Sequence, residues 1–262
     1  FAVGSLVELA IFMAGWSSLS KYSLLGAMRA IAQMISYEIP LVLASIVVVM
    51  AAGSLSTVTI VDSQNGYTGI WPHWFVFTPW GLAGFVLFII AATAESNRTP
   101  FDLPEGESEI IAGYYIEYSG FKFALFFLGE YLGMFATSAM AITLFLGGWA
   151  APLSFLTWVP SYAWFFAKLL LLIAIFIWIR GTLPRLRIDQ LMSFAWKLML
   201  PLTLINIVVA GIWHFMSGGI IRWIVCALLL LVPAILLSHL KQNKKIRPRP
   251  YRFAEWFAWD IR

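Results

Sequence analysis

The sequence predicts an all-α fold, a polytopic membrane bundle of seven transmembrane helices, and three observations carry that prediction. Of 262 residues, 61% are hydrophobic and only 11% charged, against about 25% charged in an ordinary soluble domain, and the mean hydropathy is +0.85. Mostly apolar stretches, on the scale of the roughly 20 residues a membrane helix needs, recur at 1–15 (truncated), 24–52, 75–94, 121–147, 162–180, 190–215 and 220–240. Lys and Arg alternate in phase with them: segments 16–29, 96–122, 180–197 and 241–262 hold 15 of the 17, whereas 53–76 and 148–161 hold none and 215–222 holds only Arg222.

Residues 1–15 already read as the body of a helix with no initiator Met or charged leader, so a fragment lacking its natural N-terminus is expected. Between the stretches lie polar segments: Gly53 to Trp74 with Asn65-Gly66 and Pro72, Ser96 to Ser119, Gly147 to Pro160, Gly181 to Arg187, and the turn Ser217-Gly218-Gly219. Loops rich in Lys and Arg face the cytoplasm. The domain reading is therefore a transmembrane bundle over 1–240, carrying an acidic cytoplasmic loop at 95–119, and a basic cytoplasmic tail over 241–262. That tail reads as a positive-inside anchor; anionic lipid or a partner subunit is its other candidate contact.

The single cysteine, Cys226, excludes an internal disulfide or a Cys-ligated cluster, and His73, His214 and His239 are too scattered to suggest a metal site. There is no G-x-G-x-x-G, P-loop or C-x-x-C. The chain is expected to hold no redox centre or metal, and nothing in it calls for nucleic acid.

An ionisable residue at the centre of a membrane helix costs about 2.5 to 3.5 kcal/mol on insertion scales, so each is a functional candidate by default. Glu38 is the clearest, sitting mid-span beside Ser36 and Tyr37, while Pro40 frees the Ser36 carbonyl. Those four groups are expected together at mid-depth. Glu8, Glu130, Lys168 and Lys197 are the other in-span charges. Glu130 lies in Gly129-Glu130-Tyr131-Leu132-Gly133, a small-xxx-small packing face. Lys197 has Pro201 four residues on, and snorkelling accounts for it equally well.

The segment Glu95 to Glu117 puts six acids (Glu95, Asp102, Glu105, Glu107, Glu109 and Glu117) in 23 residues with Arg98 as its one cation. Interleaved Pro100, Phe101, Pro104, Tyr114 and Tyr115 predict that it folds back against the membrane domain. A helix over 104–112 stacks Glu105 on Glu109 at i,i+4, and such like charges raise one another's pKa. Arg98 is expected to pair with loop carboxylates. The basic segment Arg180, Arg185, Arg187 with Asp189 is expected to face this loop.

The loop itself, Ala94-Glu95-Ser96-Asn97-Arg98-Thr99-Pro100-Phe101-Asp102-Leu103-Pro104-Glu105-Gly106-Glu107-Ser108-Glu109 and Gly113-Tyr114-Tyr115-Ile116-Glu117-Tyr118, resembles the membrane protein at the heel of respiratory complex I, known as the H subunit in bacteria and subunit 1 in mitochondria. Gly15-Trp16-Ser17-Ser18, Gly26-Ala27-Met28-Arg29-Ala30, Ser36-Tyr37-Glu38, Gly129-Glu130-Tyr131, Pro184-Arg185-Leu186-Arg187-Ile188-Asp189 and Leu200-Pro201-Leu202-Thr203 extend the match in order. The resemblance implies a proton-pumping NADH:quinone oxidoreductase in which this chain is a non-redox subunit. Glu38, Glu95, Glu105, Glu107, Glu109, Glu117 and Glu130 would then be proton-path or loop carboxylates. Arg98, Phe101, Asp102, Tyr114 and Tyr118 would shape the loop and quinone chamber, with Arg29, Arg180, Arg185, Arg187 and Asp189 at the arm junction. It also implies quinone as substrate at a subunit junction, FMN and iron–sulfur clusters on partner subunits, and contacts with other membrane-arm subunits, soluble quinone-site subunits and lipid. The tail inclines the location to a bacterial cytoplasmic membrane over the mitochondrial inner membrane. The alternatives are the homologous subunit of a membrane-bound hydrogenase or other ferredoxin-linked complex, and a stand-alone proton-coupled transporter. The family's first two helices are not matched, and the roles of Glu8 and of residues 220–262 stay open.

Overall fold

A long apolar run has no water to satisfy its backbone, so it closes its N–H and C=O groups within helices; the computed structural model, which describes residues 1–68, 71–102, 113–216 and 219–242, is helical almost throughout. Helix α1 (Leu6–Ser17) leads into α2 (Lys21–Ala52). α2 carries Pro40 inside it and stops at Gly53, whose φ of 67° is a left-handed C-cap that glycine adopts at little cost. The following segment, read from sequence as a polar loop, instead forms α3 (Thr57–Ser63), held down by buried Ile60 and Val61, and a small hairpin of β1 (Tyr67–Thr68) with β2 (Trp71–Pro72). Its register pairs Tyr67 with Pro72 and Thr68 with Trp71.

α4 (Pro79–Glu95) starts after a 3-10 turn at Phe75–Phe77, with Thr78 Oγ1 accepting from the Gly81 N–H at 3.1 Å and Pro79 in the first turn. α5 (Gly120–Phe145) and α6 (Ser161–Thr182) follow, then α7 (Ile188–Phe194), which passes through a π-helical stretch, Ala195–Met199, into α8 (Leu200–Phe215). Pro201 explains that stretch. It has no N–H to return to the Lys197 carbonyl, and the wider turn, with Leu200 N–H reaching Ala195 O, absorbs the mismatch. α9 (Ile220–Gln242) ends the described chain; the tail from 243 lies outside the described residues.

α2 runs through the middle, packed on α1, α4 and α8. The core is built on Tyr37, Leu41, Phe88, Phe145 and Met199. Outward-facing side chains are apolar too: Leu128, Leu132, Leu170, Leu171, Ile177 and Leu231 are each more than half exposed. A helix apolar on both faces belongs in hydrocarbon.

All seven expected stretches contain helix, of differing lengths. Lys21–Ala52, Gly120–Phe145, Ser161–Thr182 and Ile188–Phe215 are long and apolar enough to cross; Leu6–Ser17, Pro79–Glu95 and Ile221–Leu236 are shorter apolar helices. α4 falls short because its hydropathic run spends its first residues on the 3-10 turn and the Thr78 cap. At 1.5 Å per residue, its 17 residues span about 25 Å against roughly 30 Å of hydrocarbon. Among the described residues, four of the seven expected stretches thus hold helices long and apolar enough to cross, and the other three hold shorter apolar helices.

The far end of α5 accounts for Lys168. The last carbonyls of a helix have no partner within it, and two side chains from elsewhere supply one. Buried Gln64 donates from Nε2 to Thr143 O at 3.2 Å and Leu144 O at 3.1 Å, and its Oε1 accepts from Gly147 N–H at 3.0 Å. Lys168 Nζ donates to Leu146 O, Gly148 O and Ala150 O at 2.7, 2.9 and 2.7 Å, with the Trp74 ring 4.2 Å away. Its three N–H groups meet three carbonyls and an aromatic face. Lys168 is a structural clamp.

Candidate functional site

The site lies at the opposite end, where α4 stops. Past Glu95 the chain turns sharply through Asn97, at φ 48°, and Gln33 of α2 fastens the turn: its Nε2 donates to Ala94 O at 2.8 Å and Phe101 O at 2.6 Å. Phe101 is buried against the Tyr37 ring, centroids 5.3 Å apart. In this chain it packs as part of the core.

Three carboxyl groups converge here. Glu8 of α1, Glu38 of α2 and Glu95 at the end of α4 lie within electrostatic reach of one another. Glu38 does not, however, meet Ser36 and Tyr37 in one place. Tyr37 donates to Leu191 O at 3.0 Å, and Ser36 Oγ accepts from Trp196 Nε1 at 3.2 Å, so both face the 191–196 segment. At about 100° per residue along a helix, the next side chain turns toward α1.

A second chain of groups comes from the 3-10 turn Gly113–Tyr115. Tyr114 donates its hydroxyl to Tyr115 Oη at 2.6 Å, and Tyr115 donates to Glu130 Oε1 in a very short bond. Burial, then the neighbouring Tyr114 and Glu130, push the Tyr115 phenol well above its ordinary pKa, which keeps it a donor. The turn reaches α2 because two glycines meet: a Cβ on Gly26 would lie 2.6 Å from Gly113 Cα. Tyr118 donates to Ala14 O at 3.0 Å and is 3.0 Å from Ser17 Oγ, tying the same segment to α1.

Both groups open on one cavity of about 430 Å³ between α1 and α5. Glu95, Tyr114 and Glu130 are in its wall, with apolar Ile11, Phe126 and Met140. Glu95 Oε2 is buried without a hydrogen-bond partner.

Among the described residues, the basic segment meets the acidic loop through Arg185 and Leu186. Arg185 pairs with Asp102 Oδ2 at 2.9 Å and donates from Nε to Asp102 O at 2.7 Å, while Leu186 N–H bonds Pro100 O at 3.1 Å. Arg98, expected to hold the loop through carboxylates, is instead buried with its guanidinium 4.3 Å over the Tyr131 ring. Glu117, Arg180, Arg187 and Asp189 are exposed, outside the cavity wall, and Arg29 is half-buried. Glu105, Glu107 and Glu109, with the helix expected over 104–112, lie outside the described residues.

Sequence reading missed Glu8 as a partner, Gln33 and Tyr115. For Glu8 the signal was present, an acid in an apolar helix, but its partner sits on another helix. Tyr115 differs from its neighbour Tyr114 only in where the turn aims it.

With that geometry in place, a family model described as NADH dehydrogenase matches residues 1–211. The chain belongs to this family. Proteins named as the H subunit of NADH-quinone oxidoreductase are similar to it: one from Geobacillus kaustophilus (strain HTA426) is 50% identical over 217 residues, covering 82% of this chain and 62% of that protein. One from Burkholderia vietnamiensis (strain G4 / LMG 22486) is 50% identical over 217 residues, covering 81% and 61%, and one from Carboxydothermus hydrogenoformans is 49% identical over 222 residues, covering 85% and 61%. The chain thus spans about 61–62% of the length of these relatives. The NADH dehydrogenase match includes every carboxyl, tyrosine and glutamine described above, and the apolar helices fit a membrane-embedded protein.

Proposed function

We propose that this chain acts as the H-type membrane subunit in a proton-pumping NADH:quinone oxidoreductase. In this reading it carries no redox centre, and FMN and iron–sulfur clusters reside on partner subunits. Quinone is reduced at the junction with those soluble subunits, and buried carboxyls of this chain pass the resulting electrostatic change into proton movement. The observation that carries the reading is that Glu95, with Glu8 and Glu38 nearby, and the hydrogen-bonded Tyr114–Tyr115–Glu130 chain reach one cavity: such a concentration of ionisable groups inside an otherwise apolar bundle is costly unless used. The Asp102–Arg185 joint supports an arm-junction role for the loop. The cytoplasmic placement of this end, and of the C-terminus, in a bacterial inner membrane rests on the Lys and Arg distribution.

Glu38→Gln in the assembled complex tests it. The amide keeps the shape but cannot carry a proton. Normal assembly with impaired coupled quinone reduction and proton pumping is expected; wild-type pumping in a fully assembled Gln variant would refute the role.

A further inference from the structure

At the end of the bundle opposite the carboxyl cluster, a second cavity of about 240 Å³ forms where α2 ends, α4 begins, α8 ends and α9 begins. Its wall includes Phe75, Trp80, Trp213, His214 and Arg222, and none of its lining residues is acidic. Trp80 is 2% exposed, yet its Nε1 has no acceptor; Arg222 Nε is also buried without one. Buried N–H groups in native proteins are nearly always paired, so two in one pocket call for an acceptor-rich ligand. The Arg222 guanidinium is held in place 3.7 Å over Trp213, and it sits in the first turn of the 23-residue α9, whose free N–H groups favour an anion.

We propose that this pocket binds the phosphate of an anionic phospholipid headgroup. Phosphate oxygens are the acceptors that an arginine Nε and an indole N–H lack here. The setting selects a lipid over a free ion. Trp213 and Trp223 stack edge to face at 5.2 Å, in the manner of side chains at a membrane–water boundary. Beside the pocket, Met50 and Phe215 are 48% and 89% exposed, offering an acyl chain an apolar track away from the charged end. By the Lys and Arg distribution, this is the leaflet away from the cytoplasm.

The test uses the intact complex in vesicles doped with a phosphatidylglycerol carrying a photoreactive group beside the phosphate. Labelling mapped to residues 75–80 and 213–222 is expected, competed by unlabelled phosphatidylglycerol and untouched by millimolar inorganic phosphate. Arg222→Gln should lower that labelling about tenfold, as loss of a charge-assisted bond does, and Trp80→Phe, which keeps the ring and removes the donor, should lower it less. Equal labelling in Arg222→Gln, no competition by the lipid, or displacement by inorganic phosphate alone would overturn the lipid assignment. If Arg222→Gln does not assemble, competition in the wild-type complex decides.

Discussion

Tyr115 donates its hydroxyl proton to Glu130, joining the turn that follows the acidic loop to the near half of α5 by one short hydrogen bond. Because Tyr114 donates to the same hydroxyl, a continuous chain of hydrogen bonds runs from the turn to Glu130. Hydrogen bonds to charged groups contribute about 1.5 to 3 kcal/mol, so Tyr115→Phe should reduce coupled proton pumping by about tenfold or more while the complex assembles. Quinone reductase activity and pumping in membrane vesicles check this, and an assembled Phe variant pumping at the wild-type rate would remove Tyr115 from the path.

Glu8 of α1 lies within electrostatic reach of Glu38 of α2. If Glu8 and Glu38 share a proton, replacing both by Gln should impair pumping little more than replacing either alone, since groups acting as a unit are non-additive. A double-mutant comparison of pumping rates decides it. Additive losses would show that the two work separately.

Gly26→Ala should act on the same function from a distance. The added methyl meets the Gly113 backbone and pushes the 113–115 turn off α2, carrying Tyr115 from Glu130. Assembly should fall, and the assembled fraction should resemble Tyr115→Phe in pumping. A Gly26→Ala complex with normal yield and pumping would show that the close approach is not needed.

The loop anchors should rank by burial. Arg185 is 37% exposed, and its pair with Asp102 is worth about 0.2 to 1 kcal/mol. Gln33 is fully buried, and Gln33→Leu leaves Phe101 O unpaired at about 1 to 3 kcal/mol and takes one of two donors from Ala94 O, which keeps the Asn97 N–H. Hydrogen exchange across residues 94–102 should thus rise more in Gln33→Leu than in Arg185→Ala. The reverse order would place the anchor outside the membrane domain.

Much of this was legible in the sequence because hydropathy and in-span acids are properties of single segments: the apolar stretches, Glu38, Glu95 and Glu130 stand out unaided. What was not legible depends on how segments meet. Adjacent Tyr37 and Glu38 face different helices, so proximity in sequence misled. Lys168 binds backbone carbonyls, which leave no residue-type mark, and so read as a functional charge. Arg98 found an aromatic face where charge arithmetic predicted acids. α4 starts later than its apolar stretch because hydropathy does not register a 3-10 turn.

The double clamp on α5 has a mechanical consequence. Gln64 and Lys168 pin one end of a 26-residue rod, while Glu130, Tyr131 and their partners sit toward the other, about 24 Å away at 1.5 Å per residue. A push at the Tyr115 turn therefore reaches α5 as a tilt about a fixed pivot. For such a tilt the displacement grows with distance from the pivot, so it is larger at Glu130 than near Leu146.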